Sequence, residues 1–209
     1  MRTLVVLLAL VSSAELARAQ PASSRSPDAP HLAATVVGIA TWQPADDTYV
    51  SPNGPYLDTG LGGVGPGIAA DLSYVAAVPV VVAFEFSTAS ISVDQKGRLV
   101  GGTAHSHLSD TIVAGLVGGD FAHHSLQIYG GLGWRIGQPT LNDGSVEDSD
   151  GSRVVLGGGI DGAAPVARRV DIVLTFRYWF TDRGESSRQI GVGNHVLRFG
   201  AGVRVRFGD

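Results

Sequence analysis

The chain has 209 residues, of which 16 % are charged and 29 are glycine, with no cysteine and a formal charge of −4. Those values exclude a disulfide-stapled scaffold and argue against a polyanion such as nucleic acid as partner. So few charges do not match the surface of an ordinary soluble domain, so something other than water is expected to contact much of the chain.

Met1-Arg2-Thr3 precedes an apolar block from Leu4 to Val11, and Ala17-Arg18-Ala19 stands just before Gln20. This is the pattern of a secretory signal with an A-x-A cleavage site, and the block is shorter than the roughly 20 residues a membrane-spanning helix needs. Cleavage after Ala19 takes Arg2, Arg18 and Glu15, so 15 basic and 19 acidic residues become 13 and 18. Residues 1–19 are therefore expected to be a signal peptide and residues 20–32, rich in Pro, Ser and Ala, a flexible tether.

Residues 33–209 divide into about eight segments with period-two patterning, the mark of strands with unlike faces. In chain order they are Ala33–Trp42, Gly67–Val75, Val80–Ser90, Leu108–Gly118, Ser125–Ile136, Arg153–Ala164, Val170–Thr181 and Leu197–Phe207. The last two alternate most cleanly: Val170, Ile172, Leu174, Phe176, Tyr178 and Phe180 against Asp171, Val173, Thr175, Arg177, Trp179 and Thr181. In the final strand, Leu197, Phe199, Ala201, Val203, Val205 and Phe207 stand against Arg198, Gly200, Gly202, Arg204 and Arg206. Connections after the even strands, near Ala76–Pro79, Gly119–His124 and Pro165–Arg168, are short. Those after the odd strands, about Gln43–Pro66, Ile91–His107, Gly137–Ser152 and Asp182–His195, are long. The alternation predicts an all-β, antiparallel, up-and-down transmembrane barrel with both termini in the periplasm and four long loops outside the cell.

A soluble barrel would turn its apolar face inward instead. Its outer surface would then be the less apolar face, which on the fourth and sixth strands reads Thr111, Val113, Gly115, Val117 and Val155, Gly157, Gly159, with almost no charge to hold it in water. Such small residues suit the lining of a narrow barrel. Trp134, Tyr178 and Phe180 near the outer ends of the apolar faces, and Tyr74 and Phe207 near the other, are expected to form two aromatic girdles.

On these residues the chain resembles the small outer-membrane barrels typified by the OmpA and OmpX transmembrane domains. The final strand, Val196 to Phe207, is similar to the terminal signal read by the barrel-assembly machinery, although Gly208 and Asp209 follow the aromatic. The resemblance implies residence in the cell outer membrane, contact with its lipid and lipopolysaccharide, the assembly machinery as partner during insertion, and no cofactor. The external loop partner is not specified by it.

Strand parity sends Asp71, Glu85, Asp161 and Asp171 into the interior with Arg135, Arg177, Arg198, Arg204 and Arg206. Mixed signs favour a closed electrostatic network over a narrow ion or solute path. Weaker motifs carry less. His123-His124-Ser125 has the H-x-S spacing of lipid A deacylase barrels but continues Leu126-Gln127-Ile128 where that family has Asn-Ala-Gly. His105 and His107 have an i, i+2 spacing without a third ligand. Asp143, Glu147, Asp148 and Asp150 lack EF-hand spacing. Gly60, Gly62 and Gly65 lack the strand and helix of a dinucleotide loop. A non-enzymatic barrel without a metal site is expected, with a pore or a lipid-modifying enzyme as alternatives.

Overall fold

The computed structural model describes residues 30–44, 57–58, 63–76, 79–97, 103–140, 152–181 and 195–207. The expected signal peptide, most of the tether, Gly60, Gly62 and the acidic segment 143–150 lie outside these residues.

The period-two segments form eight strands: β1 (His31–Gln43), β2 (Gly63–Val75), β3 (Val80–Gly97), β4 (Thr103–Phe121), β5 (Leu126–Thr140), β6 (Ser152–Ala167), β7 (Val170–Phe180) and β8 (His195–Phe207). Each pairs antiparallel with its chain neighbours, and β1 pairs with β8 from Leu32↔Phe207 to Trp42↔Leu197, so the sheet closes on itself. Closure leaves no unpaired barrel edge, and the described residues contain no helix.

The strands run longer than their patterning predicts. Most of the segment 91–107, expected as a loop, is strand: β3 and β4 stay paired from Val80↔Gly119 to Lys96↔Thr103. Its apolar alternation is interrupted in sequence by Ser92, Asp94, Gln95, Lys96, Thr103, His105, Ser106 and His107. Leu57 and Asp58, inside the expected first loop, pair with Gly97 and Lys96 and widen this hairpin. At the opposite end the turns are tight. The β6–β7 turn is two residues, Arg168-Arg169, after a register shift between Pro165 and Ala167.

Large apolar side chains point outward all round the cylinder, among them Leu72, Phe84, Leu132, Leu156, Leu174 and Phe199. Among the described strand residues of assigned exposure, no outward position carries Asp, Glu, Lys or Arg. Thr88 and Thr111, polar residues facing each other across β3 and β4, lie with their hydroxyls 3.0 Å apart and satisfy one another. Tyr74 and Phe207 are exposed at the turn end, and Trp134, Tyr178 and Phe180 at the loop end. Phe121 adds to the first group and Trp42 to the second.

One face assignment is corrected. On β4 the inward side chains are Leu108, Asp110, Ile112, Ala114 and Leu116, whereas Gly115 and Val117 are exposed. Both faces of this strand are apolar, so hydrophobicity does not separate them. The deciding residue is Asp110, whose charge has partners only inside.

Candidate functional site

The barrel interior holds the polar chemistry, and its long side chains reach across rather than along the wall. Arg177 on β7 donates from Nε to Glu85 Oε2 on β3 at 2.7 Å, and from Nη1 to Asp161 Oδ1 on β6 at 2.6 Å. Arg198 on β8 donates from Nη2 to Asp110 Oδ2 on β4 at 2.8 Å and also meets Ser87 Oγ. Arg135 on β5 donates to Asp110 Oδ1 at 2.5 Å and to Gln43 Oε1 on β1 at 2.9 Å. In the closed strand order, β7 faces β3, β8 faces β4 and β5 faces β1, so three arginines brace the cylinder across its diameter.

Local backbone geometry makes room for these arms. Gly159 on β6 lies so close to Arg177 that an added Cβ would stand 2.6 Å from its Cδ. Gly157 lies under Trp179 in the same way, with Cε3 at 2.6 Å. A side chain at either position would displace the group that fills the interior.

Charges balance in the middle of the interior: Asp71, Glu85, Asp110 and Asp161 against Arg135, Arg177, Arg198 and Arg204. Unpaired, each buried ion would carry a desolvation penalty of several kcal/mol, which good pairing geometry offsets. Like charges nevertheless stand directly opposite one another on neighbouring strands, Arg177↔Arg198, Arg135↔Arg153 and Asp71↔Glu85. Such pairs destabilise a sheet. The conflict is resolved by divergence, Arg177 turning to Glu85 and Asp161 while Arg198 turns to Asp110. Asp71 is left over, and its Oδ1 is buried with no hydrogen-bond partner. Beside it is a void of about 10 Å³, lined by Thr35, Glu85, Asp161 and Arg177 among others, with room for about one water molecule.

Toward the turn end, Arg204 donates to Asp161 Oδ2 at 2.9 Å and to Thr35 Oγ1 at 3.3 Å, although Asp171 is its cross-strand neighbour. Asp171 pairs with Arg206 instead, at 3.0 Å. Of the nine charged residues that parity sends inward, seven are buried, Asp71 is half-buried, and Arg206 is the most exposed of the five arginines among them. Sequence reasoning missed Asp110, Gln43 and a second chain at the turn end. There Tyr129 Oη donates to Gln127 Oε1 at 2.6 Å, Gln127 Nε2 donates to Asp120 Oδ1 at 3.0 Å, and Asp120 Oδ2 meets His124 Nδ1. The Tyr129 ring also lies under the Arg177 guanidinium, 5.1 Å from Cζ. An ionisable residue in mid-strand, such as Asp110, was the available signal.

The β4–β5 turn is unusual. Ala122, His123 and His124 have φ values of 51°, 54° and 69°. Left-handed backbone costs a non-glycine residue about 1–2 kcal/mol. His123 and Ser125 sit in this turn, both exposed. His107 is exposed on β4, and the side chain of His105 lies outside the described residues.

No protein-family model and no curated protein sequence matches the chain. Solved structures do. The outer membrane protein OprG from Pseudomonas aeruginosa superposes with a TM-score of 0.55 at 16 % identity, covering 87 % of this chain and 97 % of that one. Ail, the attachment invasion locus protein of Yersinia pestis, solved with the heparin analogue sucrose octasulfate, gives 0.52 at 12 %, covering 86 % and 99 %. A major outer membrane protein of Thermus thermophilus gives 0.53 at 13 %, covering 83 % and 99 %. The chain therefore has the fold of the small, eight-stranded outer-membrane β-barrels.

Proposed function

We propose that the chain is an integral outer-membrane protein without enzymatic activity, a sealed barrel whose rigid wall holds surface loops for envelope structure, adhesion or partner binding. The turn end faces the periplasm and the extended β3–β4 hairpin projects outward. The observation that carries this reading is the interior: three arginines span the diameter, their charges are matched by carboxylates, and the void beside Asp71 has the size of one water. Lipid contact is supported by an outer surface that is apolar all round and carries no ion on its described outward positions. In planar bilayers the purified protein is expected to show no unit conductance. Reproducible steps that vanish when Arg177 and Arg204 are neutralised would overturn the sealed reading.

A narrow charged pore is the second reading, because polar groups run the height of the interior from Asp171 and Arg206 to Gln43. The same bilayer recording decides between the two. A lipid-modifying role for His123 and Ser125 predicts a changed lipid A mass on expression; an unchanged mass removes it.

A further inference from the structure

Among the described residues, the turn end keeps its carboxylates inside. Asp120 is buried and held by Gln127 and His124, and Asp171 is buried and paired with Arg206. The connection between β2 and β3, from Val75 to Val80, has no ionisable side chain in its sequence. The two-residue β6–β7 turn differs from both, because Arg168 and Arg169 stand side by side in it and both are exposed. Of all the Asp, Glu, Lys and Arg residues whose exposure is described, these two alone are exposed.

Their height on the barrel is fixed by the neighbouring strand. The Arg169 carbonyl accepts from the Arg206 amide at 2.8 Å, so the turn closes level with the end of β8, where Phe207 points outward. Val166, just before the turn, is exposed as well. Aromatic rings at the ends of barrel strands sit at the headgroup level of a bilayer. The two guanidiniums are therefore carried where lipid phosphates lie, directly beside a wall that faces acyl chains. A guanidinium presents a planar fork of donors that matches phosphate oxygens bidentately, and its apolar stem can lie along the wall while the head reaches the interface.

We propose that Arg168 and Arg169 form a headgroup site for one anionic phospholipid of the phosphatidylglycerol class in the leaflet that meets the turn end, with Val166 and Phe207 beside its acyl chains. Charge complementarity selects this occupant: the exposed ions of the described surface are cations only, they are adjacent, and they stand at the boundary between the apolar wall and water. A zwitterionic headgroup offers the same phosphate but cancels its charge with an ammonium, so it is held less well. The site rests on the reading of the chain as an outer-membrane barrel with its turn end in the periplasm.

Native mass spectrometry of the folded mature barrel, released from a neutral detergent after incubation with equal amounts of phosphatidylglycerol and phosphatidylcholine, tests it. One phosphatidylglycerol is expected to be retained, at least about fivefold over phosphatidylcholine, since each arginine near an anionic lipid surface contributes about that factor. Arg168→Gln and Arg169→Gln should each lower the preference, and the double variant should bring the two lipids to parity. Arg153→Gln at the loop end and Asp209→Asn beyond Phe207 should keep it. The heat-modifiable gel shift reports folding in every variant. Equal retention of the two lipids by the folded wild type would overturn the proposal, and so would a preference that survives in the folded double variant. A mature chain that stays folded and dissolved without detergent would sink the membrane reading and this site together, and is distinguishable from either of those results.

Discussion

Replacing Arg177 by methionine keeps much of the length of the arm and removes its charge. The side chain is 5 % exposed and holds both Glu85 and Asp161. After the change Asp161 keeps Arg204 at 2.9 Å, but Glu85 keeps only a long contact with Ser87 Oγ at 3.4 Å. Removing one partner of a buried ion pair costs about 3–5 kcal/mol. Because one of the two carboxylates remains paired, the lower end, about 3 kcal/mol, is expected. At a urea dependence of about 1–3 kcal/mol per molar, the midpoint should fall by about 1–3 M. The assay is reversible urea unfolding of the barrel in lipid vesicles, followed by tryptophan fluorescence. Its reporters are Trp42 and Trp134 on the lipid side and Trp179 inside. Adding Glu85→Gln removes the stranded carboxylate and should recover about 1–3 kcal/mol as a non-additive coupling. A single variant within about 0.5 kcal/mol of wild type, or a double variant no better than the single, would refute a braced interior.

Asp110→Asn should be more damaging than Asp71→Asn by about 2 kcal/mol or more in the same unfolding assay, since Asp110 answers two arginines while Asp71 has an unpartnered oxygen opposite Glu85. Leu132→Arg, on the outer face of β5, should lower stability in vesicles by about 2–4 kcal/mol if that face meets the bilayer midplane; a neutral result would contradict lipid contact there. His123→Gly relieves a left-handed residue and should raise stability by about 0.5–1 kcal/mol, read as a higher urea midpoint; a loss would mean that the His123 side chain makes a contact of its own.

The fold was legible because a lipid-facing wall leaves a direct trace in sequence. In β7 and β8 every second residue is apolar and the residues between include Arg177, Arg198 and Arg204, so faces, register and inward charge can be read off together. β4 was not legible for the converse reason. Ile112, Ala114 and Leu116 fill the interior while Val113 and Val117 face out. With both faces greasy, only the solitary Asp110 carried the answer. Gln43 and the β3–β4 extension fell outside the apolar belt, where period two fades because neither side is lipid. The turn-end chain from Tyr129 to His124 was hidden because Asp120 and His124 fall in the segment expected as a short connection, whereas the strand runs on to Phe121. The left-handed turn had no glycine to announce it.

Two of the like-charge pairs show what the interior charges require. Seen as neighbours in an open sheet, Arg177 with Arg198 and Asp71 with Glu85 would repel, and along the wall only Asp161 beside Arg177 offers relief. Their partners come from far along the chain: Glu85 lies 92 residues from Arg177, Asp110 lies 88 from Arg198, and Gln43 lies 92 from Arg135. Those contacts exist only once the sheet has curled far enough for β3 to face β7 and β4 to face β8. Interior charge therefore penalises the open sheet and stabilises the cylinder, whereas the apolar outer face favours membrane contact in either form. The seam between β1 and β8 is held shut by backbone pairing along its length, and the arginine braces oppose its reopening, which would break Arg177–Glu85, Arg198–Asp110 and Arg135–Gln43 at once. A small barrel with no disulfide gains in this way a braced interior.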